Sequence, residues 1–268
     1  MEYSNHLKLA LKASLSAGKI VMDIYHSDEY KLDYKPDNSP VTMADIGSHK
    51  ILVNNLSSTN LPILSEESKN ETYHIRKSWQ SFWMIDPIDG TKEFIKRNGQ
   101  FTVNVALIQD NAPKIGVVYA PATKELYFAE HGLGAYKIEN ILHFEQLENL
   151  LHINLRSSNL NLPKTFTMVV SKSHMNKETE DYVHEMKIKH GSVTTKSFGS
   201  SLKICKVAEG FAHCYPRFGP TMEWDTAAAQ AVAINAGCKM VAVNTPEDLS
   251  YNKTNLLNPF FIVSRVTK

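Results

Sequence analysis

Residues 82–94, FWMIDPIDGTKEF, constrain the fold more than any other part of the chain. The apolar run Phe82, Trp83, Met84 and Ile85 predicts a buried strand. Asp86 and Asp89 come directly after it, so that strand delivers two carboxylates into a turn. Pro87 presets a backbone angle and removes an amide donor, while Gly90 opens conformations that other residues resist. Two acids this close repel each other unless a cation neutralises them, whereas an ordinary surface turn points at least one toward water. Two readings follow: a charged loop after a core strand, or a pair of hard oxygen ligands with the Thr91 hydroxyl beside them. The second suits Mg²⁺, which takes six oxygen ligands, keeps some of them as water and so leaves room for phosphate.

A chain of 268 residues can bury a substantial core, as one large domain or two closely packed ones. A net charge of +1 gives no reason to expect a nucleic-acid polymer as partner. No long apolar stretch suits an integral membrane segment, and the start MEYSNHLKLALK lacks a secretory apolar region with a cleavage-like site, so a cytoplasmic protein is expected. Peripheral association with the inner face of the membrane stays open, as does the choice between monomer and homodimer. Cys205, Cys214 and Cys238 have no metal-ligand spacing and largely apolar neighbours, which predicts reduced core thiols. His131, His143, His184 and His190 form no ligand motif.

Leu7, Leu11, Leu15, Ile20 and Ile24 recur at mostly helical spacing and predict an amphipathic first helix, with Gly18 allowing a close approach. After the turn-like stretch KLDYKPDNSPVT a second helix is expected from Thr42–Asp45 onward. Asp45 suits either helix capping or acceptance of a hydrogen bond in an active site. In PILSEES, Ile63 and Leu64 predict a strand ending at Glu66 and Glu67, which are either solvated or further oxygen ligands. The alternation of Phe101, Val103, Val105 and Leu107 with Thr102, Asn104 and Ala106 opens a sheet-rich region that continues through 138.

A transition is expected near 140–160, dividing the chain into a sheet-and-helix region over 1–145 and an α/β region over 146–268. In the second region strands are expected at 165–170, 193–198, 239–243 and 260–266, with a helix over 176–189. GSSLK at 199–203 places Gly199, two hydroxyls and Lys203 at a helix entrance, where they suit a phosphate; N-capping by Ser200 is the plainer alternative. In YPRFGPTMEWDTAAA, Arg217 suits a bidentate phosphate contact from a loop restricted by Pro216, Gly219 and Pro220. Asp225 either caps the following helix or projects a third metal-binding carboxylate.

These motifs together resemble the magnesium-dependent, lithium-sensitive inositol monophosphatase superfamily, and within it the bacterial 3′(2′),5′-bisphosphate nucleotidase branch. The resemblance runs through NSPVTMAD at 38–45, LSEE at 64–67, WMIDPIDGTKEFIKRNGQFTVNVAL at 83–107, GVVYAP at 116–121, GSSLK and YPRFGPTMEWDTAA. It is weakest around 139–165. DPIDGT with WDTAA carries the superfamily, and KEFIKRNG with YPRFGPT carries the branch. Ser65 stands where many superfamily members have glycine, without loss of a carboxylate.

The resemblance implies a layered α/β/α/β/α sandwich with the active cleft between its halves. It implies that Glu66, Asp86, Asp89, Asp225 and the backbone carbonyl of Ile88 hold two or more Mg²⁺ ions. Glu66, Thr91 and Asp45 would act in catalysis, the last two by positioning the attacking water. Gly90, His174, Gly199, Ser200, Lys203 and Arg217 would contact substrate alongside Glu66, Asp89, Thr91 and Asp225, with Lys92, Lys96, Arg97 and Lys172 further out. The implied reaction is Mg²⁺-dependent hydrolysis of adenosine 3′,5′-bisphosphate to AMP and phosphate, with the sulfated analogue as a second substrate and a role in sulfur metabolism. An inositol or sugar-phosphate phosphatase and a nonenzymatic phosphate-binding module are the competing readings.

Overall fold

The computed structural model describes residues 3–27, 32–34, 40–69, 71–156, 160, 162–171, 175–243, 245 and 247–265. The first helix, α1 (Asn5–His26), starts at Ser4, whose hydroxyl accepts from the Leu7 N–H. A two-stranded ribbon, β1 (Leu32–Tyr34) and β2 (Pro40–Thr42), leads into α2 (Met43–Leu56). Next come β3 (Ile63–Ser65), a single turn α3 (Tyr73–Arg76), β4 (Ser81–Asp89) and the short α4 (Thr91–Ile95). A meander follows: β5 (Thr102–Gln109), β6 (Ala112–Ala120), β7 (Glu125–Glu130), β8 (Gly134–Ile138) and β9 (Ile153–Asn154). Strands β3 to β9 form one seven-stranded sheet in sequence order, antiparallel except for the β3–β4 pair.

The remaining elements are β10 (Phe166–Ser171), α5 (Lys177–His190), β11 (Val193–Phe198), α6 (Leu202–Ala208), β12 (Cys214–Arg217), α7 (Ala227–Asn235), β13 (Cys238–Ala242) and β14 (Phe261–Arg265). Their strands form a five-stranded sheet in the order β11-β10-β12-β14-β13. Strand β12 is missing from the sequence-based expectation, which has Arg217 in a loop, because Pro216 argues against a strand. Pro216 is tolerated because β12 meets β10 only at Met168 and Cys214. Beyond Cys214 the pairing is with β14 alone.

The period of two along β4 decides the layering. Trp83 and Ile85 face α1 and α2, while Phe82 and Met84 face α6 and α7. Trp83 is fully buried, and its indole N–H donates to Thr59 Oγ1 at 2.9 Å. Helices α6 and α7 lie between the sheets, and α5 covers the outer face of the second sheet. The order is helices, sheet, helices, sheet, helix, the expected α/β/α/β/α sandwich. Burial pushes the thiol of Cys214 up to about 12 and that of Cys238 up to about 11, and Cys205 is also buried and free, as core thiols should be.

Helix α7 is alanine-rich and buried all round, which lets it lie directly on the first sheet. Gly116 on β6 is the contact point, since a Cβ there would collide with the Ala228 carbonyl and lie 2.7 Å from the Ala231 Cβ. Gly18 plays the matching part for α1, because its Cβ would overlap the Tyr119 ring. Replacement Gly116→Ala should therefore force α7 off the sheet and lower stability by about 1–3 kcal/mol, the usual range for overpacking. Urea unfolding measures this, and an unchanged midpoint would contradict the packing.

Candidate active site

The acids expected in a turn after β4 lie on the strand itself. In a regular strand, residues three apart point to opposite faces. Here Asp86 pairs with Asn104 and Asp89 with Thr102, so three steps on β4 oppose two on β5. This bulge at Pro87–Ile88 turns both carboxylates to the face shared with α6 and α7. Pro87 sits where no ladder donor is needed, and its carbonyl accepts from Ser48 Oγ at 2.7 Å.

Glu66 arrives through β3, which runs parallel to β4 with Ser65 opposite Ile85. The Glu66 N–H bonds to the Ile85 carbonyl, setting Glu66 beside Asp86. Asp225 arrives from the other sequence half, on the short 3-10 turn Glu223–Asp225 that precedes α7. Its Oδ2 accepts from the Met222 N–H at 2.8 Å, so it caps that turn rather than α7. Oxygens of Glu66, Asp86 and Asp225 lie within 4.8 Å of one another; among the described residues, neither Glu67 nor the expected ligand Asp89 is part of this cluster.

Burial and mutual repulsion oppose ionisation of Asp86, Asp89 and Asp225. Asp86 is 1% exposed, and among the described residues neither of its carboxylate oxygens has a hydrogen-bond partner. Burial first, then the charges of Glu66, Asp89 and Asp225, holds its carboxyl well above the usual range. Asp225 is raised for the same reasons, burial leading and Asp89 and Glu66 following. Asp89 is pushed up to about 6 by burial, with the Lys203 charge and the Ser201 N–H acting in the opposite direction. An unpartnered buried carboxylate in a set of hard oxygen donors fits a divalent cation such as Mg²⁺.

Asp45 fills both roles left open by the sequence. One oxygen accepts from the Thr42 N–H at 2.7 Å and closes the capping box of α2. The other accepts from the Thr91 hydroxyl at 3.2 Å. Thr91 Oγ1 also lies 3.4 Å from the Ile88 carbonyl oxygen, which brings that carbonyl to the same corner. Gly90 precedes Thr91 with φ of 93°, a left-handed turn that directs the chain from β4 into α4.

A cavity of about 270 Å³ opens beside these groups, lined by Glu66, Asp89, Gly90, Thr91, Gly199, Ser200, Lys203, Arg217 and Asp225. Lys203 and Arg217 are its buried cations. Burial lowers the Lys203 ammonium to about 8, with Asp89 holding it up and Arg217 pushing it down. Arg217 donates to the Pro220 carbonyl at 2.8 Å, and its buried Nε has no partner among the described residues. The Gly199 N–H donates to Gln100 Oε1 at 2.9 Å. Ser200 Oγ lies 3.4 Å from the Leu202 N–H, and the N-cap position of α6 belongs to Ser201.

Of the outer basic residues, Lys92 lines the cavity. Arg97 turns away and donates to the carbonyls of Tyr25 and Ser27 at the end of α1. His174 and Lys172 lie outside the described residues. Among the other lining residues, Glu93 was not singled out from the sequence, and Ser201 entered there only as one of two hydroxyls. Glu93 is buried on α4, and Ser201 donates its N–H to Asp89 and its hydroxyl to Asn104 at 2.9 Å. Thr102 and Asn104, polar on the inner face of an apolar strand, were the available signal for Ser201.

The chain matches the Inositol monophosphatase family over residues 2–261. It belongs to that family. Among its relatives is the 3′(2′),5′-bisphosphate nucleotidase CysQ of Salmonella typhimurium, 41% identical over 263 residues, covering 96% of this chain and 99% of the relative. The protein of the same name from Escherichia coli K12 is 42% identical over 93% of this chain and 95% of its own. A crystal structure of CysQ from Bacteroides thetaiotaomicron, described as a bacterial member of the inositol monophosphatase family, is 46% identical. It covers 97% of each chain with a TM-score of 0.87. Membership brings Mg²⁺ dependence, in agreement with the acidic cluster. Among the described residues no helix is long and apolar enough to cross a membrane.

The repulsion has a measurable sign. A carboxyl raised in the folded state favours folding while protonated and loses that contribution as pH rises through its folded value. Asp86→Asn should therefore unfold at a higher temperature than the wild type in chelator, with a gap that widens from pH 5 to pH 8. Thermal unfolding across that range checks it, and a less stable variant at pH 8 would contradict the assigned strain.

Proposed function

We propose that this member of the inositol monophosphatase family is a Mg²⁺-dependent 3′(2′),5′-bisphosphate nucleotidase. It hydrolyses the 3′-phosphate of adenosine 3′,5′-bisphosphate to AMP and phosphate, and acts also on the sulfated analogue. The observation that carries this reading is the pairing of the acidic cluster with buried Lys203 and Arg217 around one cavity, in a chain whose relatives are named as such nucleotidases. Residues 1–145 supply Glu66, Asp86, Asp89, Thr91 and Asp45. Residues 146–268 close the cleft with Asp225, Ser200, Lys203 and Arg217. Work in the cytoplasm, at or away from the inner face of the membrane, belongs to the same proposal.

Glu66, Asp86, Asp89, Asp225 and the Ile88 carbonyl would hold two or more Mg²⁺ ions. When bound, Mg²⁺ lowers the pKa of water and neutralises charge on the transferring phosphoryl group. The hydroxyl proton of Thr91 is committed to Asp45. Its oxygen is thereby left to accept from the attacking water and turn that water's lone pair toward phosphorus. The water oxygen bonds to phosphorus, the bond to the ribose 3′-oxygen breaks, and that oxygen leaves with a proton as a hydroxyl. Attack and departure are in line. Lys203 and Arg217 supply positive charge for the substrate phosphates, and Arg217 adds a planar, directed donor set. Gly90 and Gly199 keep the cavity wall free of side chains, and Ser200 offers a hydroxyl.

Initial phosphate release from adenosine 3′,5′-bisphosphate and from inositol 1-phosphate, each with Mg²⁺ and with chelator, tests the proposal. The nucleotide should be preferred and converted to AMP only with Mg²⁺. A strong preference for the inositol ester would move the chain to a different substrate class, and no release from either would make it a binding module.

The Thr91–Asp45 pair carries its own expectation. Thr91→Ala should lower kcat by about 10²-fold or more, the lower end of what a positioned proton acceptor contributes. Mg²⁺ affinity measured by calorimetry should stay near the wild-type value. Unchanged turnover would remove Thr91 from the chemistry.

A further inference from the structure

Glu223 is fully buried, yet it lies outside the cavity and takes no part in the chemistry described. Both of its carboxylate oxygens are used. Oε2 accepts from the Asn252 N–H at 2.6 Å, and Oε1 accepts from the Lys253 N–H at 3.0 Å and from Lys253 Nζ at 2.6 Å. One carboxylate thus fixes two consecutive backbone donors and a cation, a strong and directional set. Asn252 extends the connection to the first half of the chain. Its Oδ1 accepts from Arg76 Nη1 at 2.7 Å, and its Nδ2 donates to the Arg76 carbonyl at 2.7 Å.

On its other side Glu223 belongs to the turn that carries Asp225. The Thr226 N–H and hydroxyl donate to the Glu223 carbonyl, and the Asp225 carboxylate is tied to the N–H of Met222. The Glu223 charge is matched by Lys253, so the pair adds little net field at the acidic cluster. Its remaining effect is geometric. Asp225 must be held among other acids that repel it, and the turn bearing it is pinned two residues away by a buried charged anchor.

We infer that Glu223 is a positioning residue that sets Asp225 for metal binding, through the network Arg76–Asn252–Glu223. This rests on Asp225 being one of the metal-binding acids. The test is calorimetric titration of Mg²⁺ into the full-length wild type, Glu223→Gln and Asp225→Asn, without substrate. In Glu223→Gln the amide nitrogen meets a donor where an acceptor stood, so the anchor is half lost. Mg²⁺ affinity should fall about tenfold or more, the usual cost of removing a group that orients a metal ligand. In activity measurements kcat should fall with KM for the nucleotide little changed.

A folded Glu223→Gln that binds Mg²⁺ as the wild type does, beside a weakened Asp225→Asn, would overturn the inference. Wild-type Mg²⁺ affinity in Asp225→Asn would instead overturn the reading of Asp225. If Glu223→Gln does not fold, Asn252→Ala decides. It keeps the Asn252 N–H on Glu223 and removes both side-chain bonds to Arg76, so a several-fold weaker Mg²⁺ affinity supports the inference and an unchanged affinity overturns it. A role in stability alone would lower the unfolding temperature without moving the Mg²⁺ affinity of the folded protein.

Discussion

Repulsion between buried carboxylates is the constraint on which the rest of the architecture depends. Glu66, Asp86, Asp89 and Asp225 would move apart if their backbones allowed it. Asp86 and Asp89 are therefore mounted on β4 and Glu66 directly after β3, its parallel neighbour, in a seven-stranded sheet whose faces are both covered. The fourth comes from a turn closed on itself and anchored by buried polar groups. On the proposed reading, a site that stores repulsion in this way gives up stability in exchange for affinity toward a divalent cation.

The layering serves the same end. Two sheets with helices between them bring residues far apart in sequence to one cavity, and the contact is made close by small side chains. The alanines of α7 and Gly116 let the helix lie on the first sheet, so the turn at its N-terminal end reaches the acids of β4. Cross-cleft bonds then fix the second half against the first. Ser201 binds Asn104, and Gly199 binds the side chain of Gln100. Lys203 sits one turn further along, within electrostatic reach of Asp89.

Much of this was legible in the chain because it rests on local pattern. The apolar run into Asp86, the helical spacing of Leu7 to Ile24 and the strand at 193–198 each follow from periodicity. The acids, Thr91 and Asp45 were legible through motifs that the family shares. What escaped depends on tertiary pairing. The bulge that turns Asp89 to the face of Asp86 appears only when β5 is alongside. Strand β12 hides behind Pro216, which is permitted because its neighbour has already departed. The bond from the Gly199 N–H to the Gln100 side chain likewise joins residues far apart in sequence. Glu223 carries no local signal in the sequence, and the approach of residues 252 and 253 makes it an anchor.

The most direct measurement of the central claim is thermal unfolding of the wild-type protein in chelator and in millimolar Mg²⁺. A cation that binds the folded acids and relieves their repulsion should raise the unfolding temperature, by an amount that grows with Mg²⁺ concentration. An unfolding temperature indifferent to Mg²⁺ would contradict the claim that these four carboxylates are held together for a metal.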